Sequence, residues 1–504
     1  MSLYNRAVVA SGHPLVSGAA AEILNGGGNA FDAIIAAGFA GTVAEPCLTS
    51  LGGGGFLLAR TAEPMAEKQE VLFDFFVDTP GLGLDTGNLE PHFFPVTVHF
   101  PGSDQDFNVG LGSVAVPGNL KGFLHVHRRL GRLPLETILQ PAIRLARDGL
   151  LVSESQAYFL SLLQPIMTLG EVGKRLYAPQ DTLLVCGDLL SNPALADFLE
   201  QLPSDQGDSF YHGELAGKIG GDMGRGQGLL TAEDLDAYKV IERAPLVTSY
   251  RDYTMLTNPP PSMGGSLMAL SLKLLDSVAM TDMICDSAEH LTLTGDIMAE
   301  VERLRAEGLT DISLQQAVEL GRTFSRGTTH MSIADCEGNV ASMTCSNGEG
   351  SGYFAPDTGI MLNNMMGEDD LHPEGFHASP PGQRVASMMS PSLLLRDDEV
   401  KLVIGSGGSK RIRTALAQVL SRLVDFRVPV QEAVEAPRVH WDGTTMQLEP
   451  GFNEVAVTSL AKRWPVNLWA SRDVYFGGVH AVVPGKEGAG DPRRGGAVSI
   501  VDSL

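Results

Sequence analysis

The sequence predicts an α/β protein folded as one unit. Strand-like and helix-like segments are interspersed along its whole length, and there is no repeat, low-complexity tract or linker of domain scale. The second of two helical segments in residues 15 to 45, following Asn29, is apolar almost all round, as a helix must be if no face meets water. With 504 residues, 43% of them apolar, the chain can bury a large core. It has no apolar run long enough to cross a bilayer. Thirty-six basic against 60 acidic residues give a net charge of −24, a field that repels polyanions and argues against nucleic acid or anionic membrane as a partner.

Residues 15 to 45 read as two helices joined at Gly26-Gly27-Gly28-Asn29. Gly52 to Gly55 then precede the apolar strand Phe56 to Ala59, and four glycines let its backbone lie against another segment. A phosphate-cradling loop is disfavoured, because no Lys-Ser/Thr follows and a strand, not a helix, comes next. Residues 71 to 80 form a strand ending in a turn, and 81 to 110 loop and short strands. The turn VAVPG opens a helix carrying His125 and His127, which beside Arg128 and Arg129 make a solvated face rather than a metal site. Pro134 and LETILQPAIRLARDG predict a helix pair with apolar residues Ile138, Leu139, Ile143, Leu145 and Ala146. From 151 to 230 helix and loop are mixed, and Thr231 caps the helix of LLTAEDLDAY. A rigid turn at 258 to 265 leads into the helix SLMALSLKLLD; 286 to 308 form an amphipathic helix, and 309 to 327 a connection.

The connection ends at Gly327-Thr328-Thr329. An unhindered glycine before two hydroxyl residues and a strand is a place where a chain can cut itself. Cleavage before Thr328 would free an amine with a pKa of ~7.7 to 8.0, able to take that threonine's own hydroxyl proton. Thr329 is the local rival. Residues 329 to 335 and 339 to 345 predict a hairpin around Cys336-Glu337-Gly338, and 346 to 354 a glycine-rich loop. GIMLNNMMGEDDL predicts a strand running into an acidic turn. Two more strands meet at Asp397-Asp398, and Gly405 to Gly408 turn into a helix whose first amides make an anion-binding concavity. The five cysteines are scattered and read as buried thiols, not a disulfide or zinc framework. No secretory signal is visible, so a cytoplasmic location is the default, with periplasm or secretion following if a leader has been removed.

Taken in order, GGGNAFDA, VAEP, GGGGF, VAVPG, LPLETILQPAIRLA, LTAEDLDAY, PPPSMGG, TTHMSIADCEGNVASMT, GIMLNN, MSPSLLL, GSGGSKRI, EAPRVH and GAGDPRRGG resemble the γ-glutamyltranspeptidase family of N-terminal-nucleophile hydrolases, from about residue 6 to residue 500. The resemblance implies a four-layer αββα sandwich. It also implies self-cleavage between Gly327 and Thr328 into a large-subunit region, 1–327, and a small-subunit region, 328–504. These would remain together as a heterodimer, with assembly into a higher homo-oligomer left open. Acyl transfer would run through a threonine ester, with no metal or organic cofactor.

Carried over by position, the resemblance makes Thr328 the nucleophile and Ser346, where threonine is usual, the hydroxyl supporting its amine. Asn347 would line the site, and the amides of Gly407 and Gly408 would form the oxyanion hole. Glu368 would meet a substrate ammonium, with Asp369 and Asp370 as rivals, and Ser387 is one of two serines kept. The departures are Phe76 where the family's glutamate-reading members have a carboxylate-binding arginine, Met365 for a glutamine and Met388 for the second serine. Arg384, Lys410 and Arg411 are the candidates for a replacement cation. The implied reaction is cleavage of a glutathione-like γ-glutamyl amide, with the acyl group passed to water or an amine. The apolar departures keep open an amidase or acylase with another acyl donor. A non-catalytic binding protein is the third reading, and the retained Thr328, Ser346 and glycine pair argue against it.

Overall fold

Strands buried on both faces need a layer on each side, and the chain supplies them as two antiparallel sheets back to back between helices. The computed structural model describes residues 3–62, 70–85, 90–100, 103–306, 327–368, 371–372 and 375–503. The strands of the two sheets, in chain order, are β1 (Arg6–Ser11), β2 (Gly54–Arg60), β3 (Glu70–Phe75), β4 (Ile241–Arg243), β5 (Leu246–Tyr250), β6 (Tyr253–Thr257) and β7 (Thr328–Ala334). They continue as β8 (Val340–Ser346), β9 (Ser392–Arg396), β10 (Glu399–Gly407), β11 (Gly478–Val483), β12 (Glu487–Ala489) and β13 (Ala497–Asp502). The first sheet has the order β13-β1-β7-β8-β2-β3-β4 and the second β12-β11-β10-β9-β6-β5.

Helices α1 (Pro14–Asn25), α2 (Ala30–Ala44), α3 (Asn119–Leu130) and α4 (Leu135–Asp148) cover the outer face of the first sheet. Helices α5 (Met263–Asp276) and α6 (Arg411–Val424) cover the second. This is the αββα sandwich expected. Along β2 the side chains alternate, Leu57 and Ala59 joining the helix-side cluster, Phe56 and Leu58 the cluster shared with the second sheet.

Helix α2 is buried at every one of its 15 residues, and a reciprocal capping box between Asn29 and Asp32 closes its N-terminus. Its glycines let the sheet approach: a Cβ at Gly38 or Gly41 would come within 3.0 Å of Met343 or Met331 in the central strands. On the opposite face β7 and β8 carry His330, Ser332, Ser342 and Thr344, and these polar groups join the sheets. Ser332 Oγ donates to the His480 carbonyl at 3.1 Å and Ser342 Oγ to that of Ile404 at 3.1 Å. His330 is fully enclosed, with Thr344 Oγ1 at 2.8 Å and Ser332 Oγ at 2.9 Å on its two nitrogens. Gly405 makes room for its ring, since a Cβ there would lie 2.2 Å away. Burial pulls the His330 pKa well down, so it is neutral and structural.

Several expectations need correcting. LETILQPAIRLARDG is one helix that continues through Pro141, the lost amide bond being outweighed by the buried face of Ile138, Leu139, Ala142 and Ile143. GIMLNNMMGEDDL is not a strand. It makes isolated bridges at Met361 and Leu362 and a 3-10 turn over Met365–Gly367, because the Asn363 side chain bonds Gly52, Ala115 and Met365 in place of a ladder. All five cysteines are free, yet Cys186 is exposed and Cys285 and Cys336 only half-buried. Most of the connection 309–327, with Asp369 and Asp370, lies outside the described residues. Among the described residues no helix is long and apolar enough to cross a membrane.

A buried ionic cluster fastens the last turn of the chain. Arg438 Nη2 meets Asp491 Oδ2 at 2.6 Å, Arg493 Nη1 meets Asp491 Oδ1 at 3.2 Å, and Arg493 Nε donates to Glu449 at 2.7 Å. Arg438→Met would strand Asp491 without that counter-charge and is expected to cost about 3–5 kcal/mol, read as a lower urea midpoint. Arg6→Ala, at the exposed pair with Asp502, is expected to cost under about 1 kcal/mol.

Candidate active site

The antiparallel register of β7 and β8 sets Thr328, the first residue of one, opposite Ser346, the last of the other. Their hydroxyls meet: Thr328 Oγ1 donates to Ser346 Oγ at 3.3 Å. Ser346 Oγ in turn donates to the carbonyl oxygen of Gly327, in a short contact, and accepts the Gly348 amide at 3.0 Å. One donor and two acceptor positions fill the capacity of that hydroxyl.

The segment across that bond is held on every side. The Gly327 amide donates to Glu349 Oε1 at 3.1 Å. Arg494 Nη1 donates to the Thr328 carbonyl at 2.7 Å, and Thr329 Oγ1 to both carboxylate oxygens of Glu45, at 3.1 and 3.0 Å. A Cβ at Gly327 would fall 1.6 Å from the Gly348 carbonyl oxygen, so a side chain there would displace the loop. Gly407 ends β10 beneath Thr328, where a Cβ would lie 2.2 Å from the Thr328 carbonyl oxygen, and Gly408 turns at φ +122°. Chemically, the hydroxyl of Thr328 sits beside a hydroxyl that already polarises the carbonyl of the preceding residue.

The other expected residues are held in different ways. Asn347 is buried, and neither side-chain polar atom has a hydrogen-bond partner among the described residues. Glu368 is buried against the same loop, its Oε1 2.3 Å from where a Gly348 Cβ would be. Ser387 works on the backbone: its hydroxyl accepts the Met389 amide at 3.2 Å and its carbonyl accepts the Met263 amide at 2.8 Å. Phe76, Met365 and Met388 are buried in one apolar cluster, Phe76 stacked on Phe56 with centroids 5.4 Å apart.

Of the three candidate cations, Arg384 is committed elsewhere. Its guanidinium lies 3.4 Å from Asp74 and 3.2 Å from Asp78, and bonds Tyr238 Oη at 2.8 Å, the Lys239 carbonyl at 2.6 Å and the Phe76 carbonyl. It therefore does not replace the arginine missing at Phe76. Arg411 Nε donates to the Tyr475 carbonyl at 3.0 Å with its guanidinium over that ring, and Lys410 is buried beside it. His125 bonds Glu242 and His127 the Leu133 carbonyl, as non-metal residues. Cys285, Asp286 and His290 come within metal-ligand reach of one another, but Arg422 pairs with Asp286 at 2.9 Å and the Asp286 amide occupies His290 Nδ1.

Glu45, Glu349 and Arg494 are the residues that sequence reading left without a role. Two of them sit in quoted stretches, VAEP and GAGDPRRGG, and the signal was available: an acid directly after a wholly apolar helix has to be buried against a partner. Burial pushes the Glu45 carboxyl up to about 7, against the pull of the Thr329 hydroxyl and Arg494. Burial likewise pulls Arg494 down to about 10, with Arg411 adding to the effect and Asp491, Glu45 and Asp473 opposing it.

The Glu45 shift has a definite sign. Its folded value lies above that of an unfolded glutamate, so the folded protein keeps a proton that the unfolded chain has lost. The stability from this group is fully present below about pH 4.5 and is lost as pH rises through about 7. Between pH 4 and pH 8 wild type is expected to lose roughly 3 kcal/mol more than Glu45→Gln, measured by urea unfolding across that range.

The comparison with known proteins agrees with this geometry. The Gamma-glutamyltranspeptidase family profile matches residues 16–324 and 315–501. The glutathione hydrolase proenzyme of Escherichia coli (strain K12) is 31% identical over 535 residues, covering 94% of this chain and 88% of that protein. An acylase ACY 1 proenzyme of Pseudomonas sp. (strain V22) is 32% identical over 489 residues, covering 91% and 87%. The crystal structure of cephalosporin acylase from Bacillus halodurans superposes with a TM-score of 0.82 at 25% identity, over 98% of this chain and 96% of that one. With the family profile spanning both sides of the Gly327–Thr328 bond and the αββα sandwich beneath it, this chain belongs to the γ-glutamyltranspeptidase family of N-terminal-nucleophile hydrolases.

Proposed function

We propose that the protein cuts itself between Gly327 and Thr328 and that the freed Thr328 is the nucleophile of an amide-cleaving acyl transfer. The supporting observation is the Ser346 hydroxyl, which bridges the Thr328 hydroxyl and the Gly327 carbonyl oxygen. In the precursor Thr328 Oγ1 adds to the Gly327 carbonyl carbon, the C–N bond breaks, and the acyl group moves from nitrogen to oxygen. Water then hydrolyses the ester, leaving Gly327 as a carboxylate and Thr328 with a free amine. In the mature enzyme that amine takes the Thr328 hydroxyl proton as Oγ1 attacks the substrate amide. Gly407 and Gly408 amides receive the oxyanion, each worth roughly 2.7–4 kcal/mol in such a role. The leaving amine departs, and water or an acceptor amine takes the acyl group from Thr328. Regions 1–327 and 328–504 stay together because each sheet contains hydrogen-bonded strands from both.

The donor we assign is a γ-glutamyl amide, the class to which the glutathione of the hydrolase relatives belongs, with Glu368 and Asn347 meeting its polar end. A second reading, an acylase taking a less polar acyl group, is favoured by the buried apolar side chains of Phe76, Met365 and Met388 at positions where the family's glutamate-reading members carry polar groups, and by Arg384 being enclosed by Asp74 and Asp78. Hydrolysis of a panel of anilides separates them. Release of anilide from γ-glutamyl-p-nitroanilide, absent in Thr328→Ala, supports the first reading; faster turnover of glutaryl or aliphatic acyl anilides than of the γ-glutamyl one assigns the second. No Thr328-dependent turnover of any of them contradicts both. Ser346→Ala is expected to slow chain cleavage by about 10²- to 10³-fold, followed by gel electrophoresis over time.

A further inference from the structure

We infer that Arg494 is a positioning residue that keeps the α-amine freed at Thr328 unprotonated near neutral pH, by placing a buried guanidinium against the carbonyl of the same residue. The inference rests on the proposed role of Thr328. An N-terminal amine has an ordinary pKa of ~7.7 to 8.0, so at pH 7 most of it would carry a proton and could not accept one from the hydroxyl. A fixed positive charge nearby disfavours that proton. Arg494 Nη1 lies 2.7 Å from the Thr328 carbonyl oxygen, which places the guanidinium within about 6 Å of the Thr328 nitrogen by standard backbone dimensions.

The fold builds a cradle for that guanidinium. A Cβ at Gly407 would come 3.1 Å from Arg494 Nη1, and one at Gly478 would come 2.2 Å from its Cδ. On another side the guanidinium stands 5.8 Å from the centroid of the Phe159 ring. Neither glycine is required by its φ; Gly478 admits the Arg494 side chain, and Gly407 admits the Thr328 carbonyl to which Arg494 donates.

The other charges facing Thr328 pull the opposite way. Glu349 holds the Gly327 amide, Glu368 lies against Gly348, and Glu45 grips the Thr329 hydroxyl. Asp473 and Asp491 stand behind Arg494. The further cations are Arg411 and Lys410 at the start of α6, Arg411 being held by the Tyr475 carbonyl. His13, His330 and His480 are all pulled below their ordinary values by burial and add no charge near pH 7. Glu349 and Glu368, joined by Glu45 as it ionises near pH 7, would stabilise an ammonium there. Arg494, bonded to Thr328 itself, is the charge that offsets them.

The test reads the amine directly and needs no acyl donor. Cyanate carbamylates only unprotonated amines, so the rate of mass gain at Thr328 in the self-cleaved full-length protein, followed from pH 5 to 9, gives its titration midpoint. In Arg494→Gln the midpoint is expected to rise by about one unit or more, while Arg494→Lys, which keeps the charge, stays within about 0.3 of wild type. An unmoved or lowered midpoint in Arg494→Gln overturns the inference, as does an equal rise in Arg494→Lys. Should Arg494→Gln not mature, Glu45→Gln decides: removing an opposing carboxylate is expected to lower the midpoint by about 0.3 or more, and no change or a rise overturns the proposal. If wild type exposes no Thr328 amine at all, it is the proposed function that fails, and the inference falls with it.

Discussion

The site depends on one register. Thr328 and Ser346 meet only because β7 and β8 pair so that the first residue of one faces the last of the other, and a slip of one residue would send Ser346 to the opposite face. That register is set at the far end of the hairpin. Asp335 accepts the amides of Glu337 and Asn339 at 2.9 Å each and the Asn339 side chain at 2.7 Å, and it also accepts the Ala30 amide at the start of α2 at 2.9 Å. A single buried carboxylate thus fixes both the turn and its place against the buried helix. Gly53 and Gly55 complete the arrangement by letting β2 lie against β8, where a Cβ would fall 2.0 Å from the Ser346 carbonyl oxygen or 2.6 Å from that of Thr344.

Around this hairpin the protein does something unusual for a core, which is to join its two sheets at the centre by polar groups. His330, Ser332, Ser342 and Thr344 all find partners, so they fix the relative position of the sheets rather than merely filling space. The outer parts of the same interface are apolar, from Val8 and Phe56 on one sheet to Val403 and Val479 on the other. The buried charges follow the same logic: Arg438, Asp491, Arg493 and Glu449 hold the turn from which Arg494 reaches Thr328.

Local signals made much of this legible in the sequence. The paired helices before Glu45, the hairpin after Gly327 and the Asp397-Asp398 turn all follow from periodicity and turn chemistry over a few residues, and each lies where expected. The strand expected in GIMLNN failed because its asparagine side chains take over the backbone's bonding, an effect that apolar alternation does not register. For Glu45 and Arg494 the missing part was the partner. Burial of Glu45 could be read from the apolar helix before it, but the two residues lie 449 positions apart in the chain, and only the sheet brings them to consecutive threonines. The same holds for Arg384: a candidate counter-charge by composition proved to be enclosed by Asp74 and Asp78.

The chemistry thus converges on one bond, and its identity is open to direct measurement. The N-terminal residue of the smaller fragment of the purified protein, read by intact mass and by sequencing, tests the account at its centre. The account requires a fragment beginning at Thr328, with a companion ending at Gly327. A fragment beginning at Thr329 or elsewhere, or a chain that stays whole after folding, would contradict it.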